Sequence, residues 1–167
     1  MLSFLRPAAV LASLVLLLAT TASAQSSASP NGDVVLSVTG AVNQDPTVFD
    51  LEMLMALDET VIETTTIWTE GTQVFQGVAL DVLMKSLDVS QGTLLATAIN
   101  DYTVEIPVSD AVAGGPIIAY KLNDTTMSVR DKGPLWVIYP YDSSPEYRSE
   151  VIYSRSIWQL DRIEVVE

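Results

Sequence analysis

The sequence predicts an α+β fold, a strand-rich mixed sheet accompanied by short helices. Three observations carry this prediction. Segments rich in β-branched and aromatic residues recur along the chain, among them "DVVLSVTG", "VIETTTIW" and "YTVEIPV", each bounded by Gly, Asn, Asp or Thr turns. One stretch, "GVALDVLMKSLD", repeats apolar residues at helical spacing over two turns. No internal repeat and no compositional break divides the chain, so strands and helices serve a single core.

Taken in order, "DVVLSVTG" places Val34, Leu36 and Val38 on one face and stops at Gly40, a strand. "FDLEMLMALDE" reads as a short helix with Asp50 as its cap, Phe49 and Leu54 standing at the two positions of a hydrophobic staple. "VIETTTIW" is a strand that "TEGT" turns into a second one, "QVF". In "GVALDVLMKSLD", Leu80, Leu83, Met84 and Leu87 recur at i, i+3, i+4 and i+7, the mark of an amphipathic helix. "TLLATAI" and "YTVEIPV" form strands around the turn Asn100-Asp101. Ser109 caps a short helical turn that Gly114-Gly115-Pro116 ends. "IIAYKL", followed by Asn123-Asp124 as a turn, then "LWVIYP" and "WQLDRIEVV" are further strands, with a polar loop, "YDSSPEYRS", before the last.

The first 24 residues stand outside the fold. Arg6 supplies a positive n-region, Ala8 to Thr20 an apolar run too short to span a bilayer, and Ala22-Ser23-Ala24 a small-x-small cleavage site. This pattern predicts a secretory signal peptide cleaved after about Ala24, and with no Cys at the site a lipid anchor is not expected. Residues 25–32, "QSSASPNG", read as a flexible leader, and residues 33–167 as one domain. No later stretch is long or apolar enough to insert in a membrane, so a periplasmic location is expected.

All 21 acidic residues and seven of the eight basic ones follow the signal peptide. Such a surface repels nucleic acid and anionic lipid, which are therefore not expected as partners. The chain has neither Cys nor His. That excludes a disulfide framework, a thiolate nucleophile, a Ser-His-Asp triad and ordinary zinc or copper sites.

Four segments, "FQGVALDVLM", "INDYTVEIP", "MSVRDKGPLWVIYP" and "YSRSIWQLDRIEVV", occur in the order seen in the sulfite-oxidase-like molybdopterin-binding fold. The chain resembles that family over nearly its whole length beyond the signal peptide, and is most similar to its small, single-domain, exported members. Catalytic members hold molybdenum through a Cys thiolate just before the "GVxL" helix. Here that segment reads "TTTIWTEGTQVF", and a hydroxyl is a poor substitute for a soft thiolate. The resemblance therefore implies a pocket without molybdenum and without redox activity. Cys-less members include periplasmic pterin-binding proteins that work with a membrane enzyme making or degrading cyclic di-GMP. The same function is implied here: a pterin bound as a ligand, no covalent cofactor, no catalysis, and the periplasmic domain of a membrane signalling protein as partner.

A pterin is a flat bicycle edged with hydrogen-bonding groups, so its site needs an aromatic wall and a few fixed polar groups. Trp68, beside a turn at the family's metal-ligand segment, is the expected wall, although a core or rim Trp has the same signature. Asn100 and Asp101 are good turn formers; at this family position Asp101 is expected to accept from the pterin edge, with Tyr102 flanking the ring. Arg130 and Lys132 lie on the turn that leads into the aromatic strand. They are expected either to hold a ligand's carbonyl, carboxylate or phosphate, or to pair with Asp131 or Glu146. Arg155, inside "YSRSIW", borders the cofactor in the family and completes the expected ligand-binding set. Trp136, Trp158, Tyr139 and Tyr153 read as mostly core, and Ser128 with Lys132 is a weak Ser-Lys spacing. Two other readings stay open: an enzyme, either an atypical molybdopterin oxidoreductase or a carboxylate-based hydrolase, and a pure protein-interaction module.

Overall fold

The computed structural model describes residues 29–167. The expected signal peptide and residues 25–28 of the expected leader lie outside them. The described chain is α+β and strand-rich, as its composition predicts, but its strands divide between two sheets where a single mixed sheet was expected. Partner choice is decided by contacts distant in sequence, which local patterns do not carry.

The first sheet contains β1 (Val34–Gly40), β2 (Thr47–Asp50), β5 (Thr93–Ala98), β6 (Thr103–Pro107) and β10 (Leu160–Val166), in the order β2-β1-β10-β5-β6. β1 and β10 run parallel; the other pairs are antiparallel. The second sheet is antiparallel: β3 (Glu59–Thr65), β4 (Thr72–Ala79), β7 (Ile117–Leu122) and β8 (Thr125–Thr126), with β9 (Trp136–Ile138) also paired to β7. Three short helices complete the domain: α1 (Leu51–Met55), α2 (Leu80–Ser86) and α3 (Glu150–Arg155).

Asp50 shows how the expected start of α1 changes in the fold. It ends β2 as well as capping α1, where its Oδ1 accepts the Met53 amide at 2.8 Å. Its Oδ2 accepts the amides of Asn31 and Gly32 at 2.7 and 3.0 Å. The last two residues of the expected leader are therefore fastened to the domain. These amides, Met53 foremost, hold the Asp50 carboxyl below the usual range. Phe49 and Leu54 are both buried.

The helix expected from Gly77 begins at Leu80, because β4 continues through Ala79. Gly77 is needed in the strand: a Cβ there would run into the Ile118 carbonyl of β7. Leu80, Leu83, Met84 and Leu87 are all buried, as their spacing predicts. Both expected tight turns form, with Asp101, Asn123 and Asp124 at positive φ.

Side chains from both sheets and the helices, including Leu36, Val38, Phe75, Ile118, Leu83 and Trp136, form one contiguous apolar cluster. β9 is buried on both faces, so the two-sided alternation along "LWVIY" leaves neither side in solvent. The sheets are joined where β9 meets the run into β10. The Val137 amide donates to the Ile157 carbonyl at 2.9 Å, and the Leu160 amide to the Leu135 carbonyl at 3.0 Å. Among the described residues, no helix is long and apolar enough to cross a membrane.

Candidate ligand-binding cleft

Three chain segments converge at this seam. The residues after β3 bring Trp68; the β5–β6 turn brings Ala98, Asn100 and Tyr102; α3 and its exit bring Tyr153, Ser154, Ser156, Ile157 and Trp158. They line an open cleft of about 380 Å³, within the usual range for small-ligand sites. No charged side chain lines it.

Trp68 is the hub. Its ring meets Trp136, Tyr141, Tyr153 and Trp158 edge to face, at centroid distances of 5.8, 6.2, 5.9 and 5.8 Å. Half-buried and wedged in this way, Trp68 is as much a packing residue as a wall. The more open aromatic faces belong to Tyr102, 56% exposed, and Trp158, 39% exposed. Asn100 Oδ1 accepts the Tyr102 amide at 3.2 Å, which directs the carboxamide oxygen to the turn and keeps its NH₂ for other acceptors.

α3 is held in place by polar contacts that few local signals announce. The Ser149 hydroxyl caps it, accepting the Ile152 amide. At the other end, Ser156 Oγ accepts from the Tyr141 hydroxyl at 2.7 Å and donates to the Ile152 carbonyl at 2.8 Å. The Trp136 indole donates to the Ser156 carbonyl at 3.2 Å. Arg155 Nη1 and the Tyr139 hydroxyl both donate to Asp110 Oδ2, at 2.9 and 2.8 Å. Burial raises the pKa of both tyrosines. That of Tyr141 is pushed up to about 12, partly offset by the Ser156 hydroxyl, while Tyr139 is raised further by the Asp110 carboxylate. Both therefore stay neutral donors.

The basic turn lies against the back of the cleft wall. Ser128 O accepts the amides of Asp131 and Gly133 at 2.9 and 2.8 Å, which leaves Lys132 in the left-handed region at φ 72°. The turn is laced to the cleft through Gln159. Its amide donates to Lys132 O at 2.9 Å, its Nε2 to Val129 O at 2.7 Å, and its own carbonyl accepts from Ile99 at 3.0 Å. Lys132 Nζ lies 5.7 Å from the ring centroids of both Trp136 and Trp158.

The fold thus brings Trp68, Asn100 and Tyr102 together in the cleft; Lys132 does not line it and touches it only through the ring of Trp158. The other expected site residues are placed elsewhere. Asp101 does not line the cleft; its carboxylate pairs with Arg162, which the β5–β10 register brings alongside. Arg155 turns away to Asp110, because the helical turn separates it from Tyr153 and Ser156. Arg130 is exposed on the outer turn. The alternative ion pairs of Arg130 or Lys132 with Asp131 or Glu146 do not form, since Asp131 instead accepts the Ser128 hydroxyl at 2.7 Å. That bond also turns Ser128 away from any Ser-Lys role. Trp158 and Tyr153, expected as mostly core, line the cleft. The usable signal for them was the aromatic pair flanking "SRSI", which frames a helix exit.

The segment that stands where the resemblance puts the family's thiolate, and that was expected to hold no metal, has its hydroxyls engaged within the protein. Thr65 Oγ1 donates to Asp142 Oδ1 at 2.9 Å, Thr66 and Thr69 pair at 2.7 Å, and Thr64 Oγ1 accepts the Asp142 amide at 3.1 Å. This donor set, hard and already engaged, does not fit a molybdenum centre of the thiolate-held type. Among the described residues, no group of three His, Cys, Asp or Glu side chains is arranged to hold a metal ion. No protein-family model matches the chain, and no curated protein matches it.

Proposed function

We propose that the protein is a periplasmic pterin-binding protein without redox activity, built on a sulfite-oxidase-like molybdopterin-binding fold that has lost its metal. The observation that carries this reading is the uncharged aromatic cleft of about 380 Å³ with Tyr102 and Trp158 at its mouth and Trp68 behind them. A flat heterocycle stacks on such faces, and the Asn100 amide group and the Tyr102 and Tyr153 hydroxyls suit its polar edge. With no Cys in the chain and the threonine hydroxyls engaged, the cleft binds the organic ring and not the metal. Occupancy is relayed to the periplasmic domain of a membrane enzyme that makes or degrades cyclic di-GMP.

Calorimetric titration with oxidised and reduced pterins tests the binding. Wild type is expected to bind in the micromolar range, and Trp158→Ala to weaken binding by about tenfold, equivalent to about 1.4 kcal/mol of lost stacking. No heat from any pterin with the wild-type protein would end this reading. The relay is tested by cyclic di-GMP levels in cells carrying wild type or Trp158→Ala; equal levels would remove the signalling role.

Apolar residues at the rim favour a second reading. Ile67 and Ile99, 60% and 43% exposed, adjoin the lining residues Trp68 and Asn100, and with Tyr102 and Trp158 they give the mouth a character suited to protein contact. Under that reading the aromatic groove would seat a partner's side chain. Unchanged partner capture by wild type with and without pterin would favour it over ligand sensing.

A further inference from the structure

We infer that Asn31-Gly32 is a latent deamidation site, held unreactive in the folded protein by the Asp50 carboxylate, and that its conversion unfastens the segment leading into β1.

Asparagine occurs at positions 31, 43, 100 and 123, and only Asn31 is followed by glycine. The reaction depends on that neighbour. The Gly32 backbone nitrogen attacks Asn31 Cγ and a C–N bond forms. The Cγ–Nδ2 bond breaks, and ammonia leaves carrying the amide proton. Water then opens the cyclic imide at either carbonyl, giving Asp or isoaspartate, so solvent is the only co-reactant. Glycine carries no Cβ to obstruct the attack or the backbone rotation that brings the two atoms together. Both residues are exposed, so water reaches them. Among the described residues the Asn31 carboxamide has no hydrogen-bond partner; only the two backbone amides are tied.

That tie falls on the attacking atom. Asp50 Oδ2 accepts the Asn31 amide at 2.7 Å and the Gly32 amide at 3.0 Å. To attack, the Gly32 nitrogen must lose the proton that a carboxylate is accepting, and the resulting negative charge would face that carboxylate. Two consecutive amides converging on one oxygen also fix the backbone torsion between them. The anchor is itself immobilised. Asp50 is buried, caps α1 through Oδ1, and pairs in β2 with Val34 of β1. Reaction therefore requires a local opening in which Oδ2 releases both amides. Once it occurs, closing is opposed. Asp at position 31 sets a second carboxylate beside Asp50, and isoaspartate adds a backbone carbon between the two amides.

Peptide mass spectrometry over time at mildly alkaline pH tests the site, comparing the folded protein with the free peptide "SPNGDVVL". Wild type is expected to convert Asn31 at least about tenfold more slowly than the peptide. Asp50→Asn keeps a good cap for α1 but sets an NH₂ against the two amides, and should bring the rate to within about threefold of the peptide. Asp110→Ala, which weakens the domain at α3, should leave the wild-type rate nearly unchanged. In Asn31→Asp, hydrogen exchange at the Gly32 amide should rise while the β1 amides stay protected. Conversion in wild type as fast as in the peptide, or equally slow conversion in Asp50→Asn, overturns the inference. Equal acceleration by Asp110→Ala and Asp50→Asn would also overturn it, since global opening would then control the site. Unchanged Gly32 exchange in Asn31→Asp would remove the unfastening. If Asp50→Asn fails to fold, the wild-type comparison and the Asn31→Asp exchange still decide.

Discussion

Gly133 shows at the level of one residue why the basic turn has its shape. A Cβ at this position would run into the Met127 carbonyl, so only glycine allows the chain to fold back beneath Lys132. Gly133→Ala is expected to cost roughly 2 kcal/mol of stability, in the range of backbone-strain mutations, and to displace Lys132 from the two tryptophans. Urea unfolding measures the first effect and a change in tryptophan emission the second. A variant with wild-type midpoint and spectrum would show that the turn relaxes freely. Lys132 was legible as a ligand candidate from its charge in an acidic chain. Its contact with Trp158 was not, because residues 26 apart in sequence meet only through the sheet seam.

Among the elements, α3 matters most to the site and was the least legible. Six residues are too few for apolar periodicity to register, and helix stability of this length comes from tertiary contacts rather than propensity. Those contacts are the Ser156 bonds to Tyr141 and Trp136, and the Asp110 carboxylate shared by Tyr139 and Arg155. Asp110→Ala leaves the buried Tyr139 hydroxyl and the Arg155 guanidinium without their acceptor. It is expected to cost on the order of 2 kcal/mol and to raise hydrogen exchange in α3 above that of the sheets. Uniform exchange with no loss of stability would mean that α3 is held by apolar packing alone. Asp50 is the opposite case. It was legible as a helix cap, and the fold adds the Asn31 and Gly32 amides that no local pattern indicated.

Across the whole molecule, the lack of His and Cys leaves no side chain whose ordinary pKa lies between about pH 5 and 8, so stability should be nearly flat there. Asp50 and Asp142 have carboxyls held below the usual range by the amides they accept, those of Met53 and Thr65 foremost. Their contribution is fully present above the unfolded value of about 3.8 and is lost as pH falls through the lower folded value. Chemical denaturation from pH 7 to 2 should show a plateau and then a steep acid limb, which Asp50→Asn makes shallower. An identical limb in that variant would assign acid loss to general charge effects. At the alkaline end the sign reverses. Tyr139 and Tyr141 have raised folded pKa values, so their stabilisation is complete below about 10 and lost above it.

The amino-acid sequence alone determined the α+β class, the buried face of α2, the cap at Asp50, the turns at Asn100-Asp101 and Asn123-Asp124, and the charge balance of the surface. Each of these depends on residues within a turn or two of one another, or on composition, and neither needs a tertiary partner. The tertiary structure decided the split into two sheets, the parallel pairing of β1 with β10, and the membership of the cleft. It moved Asp101 and Arg155 into ion pairs, exchanged them for Tyr153 and Trp158, and left Lys132 without a carboxylate beside an aromatic wall. Side-chain partners are settled by strand register and sheet packing, which act between segments far apart in the chain, and a linear pattern does not contain them.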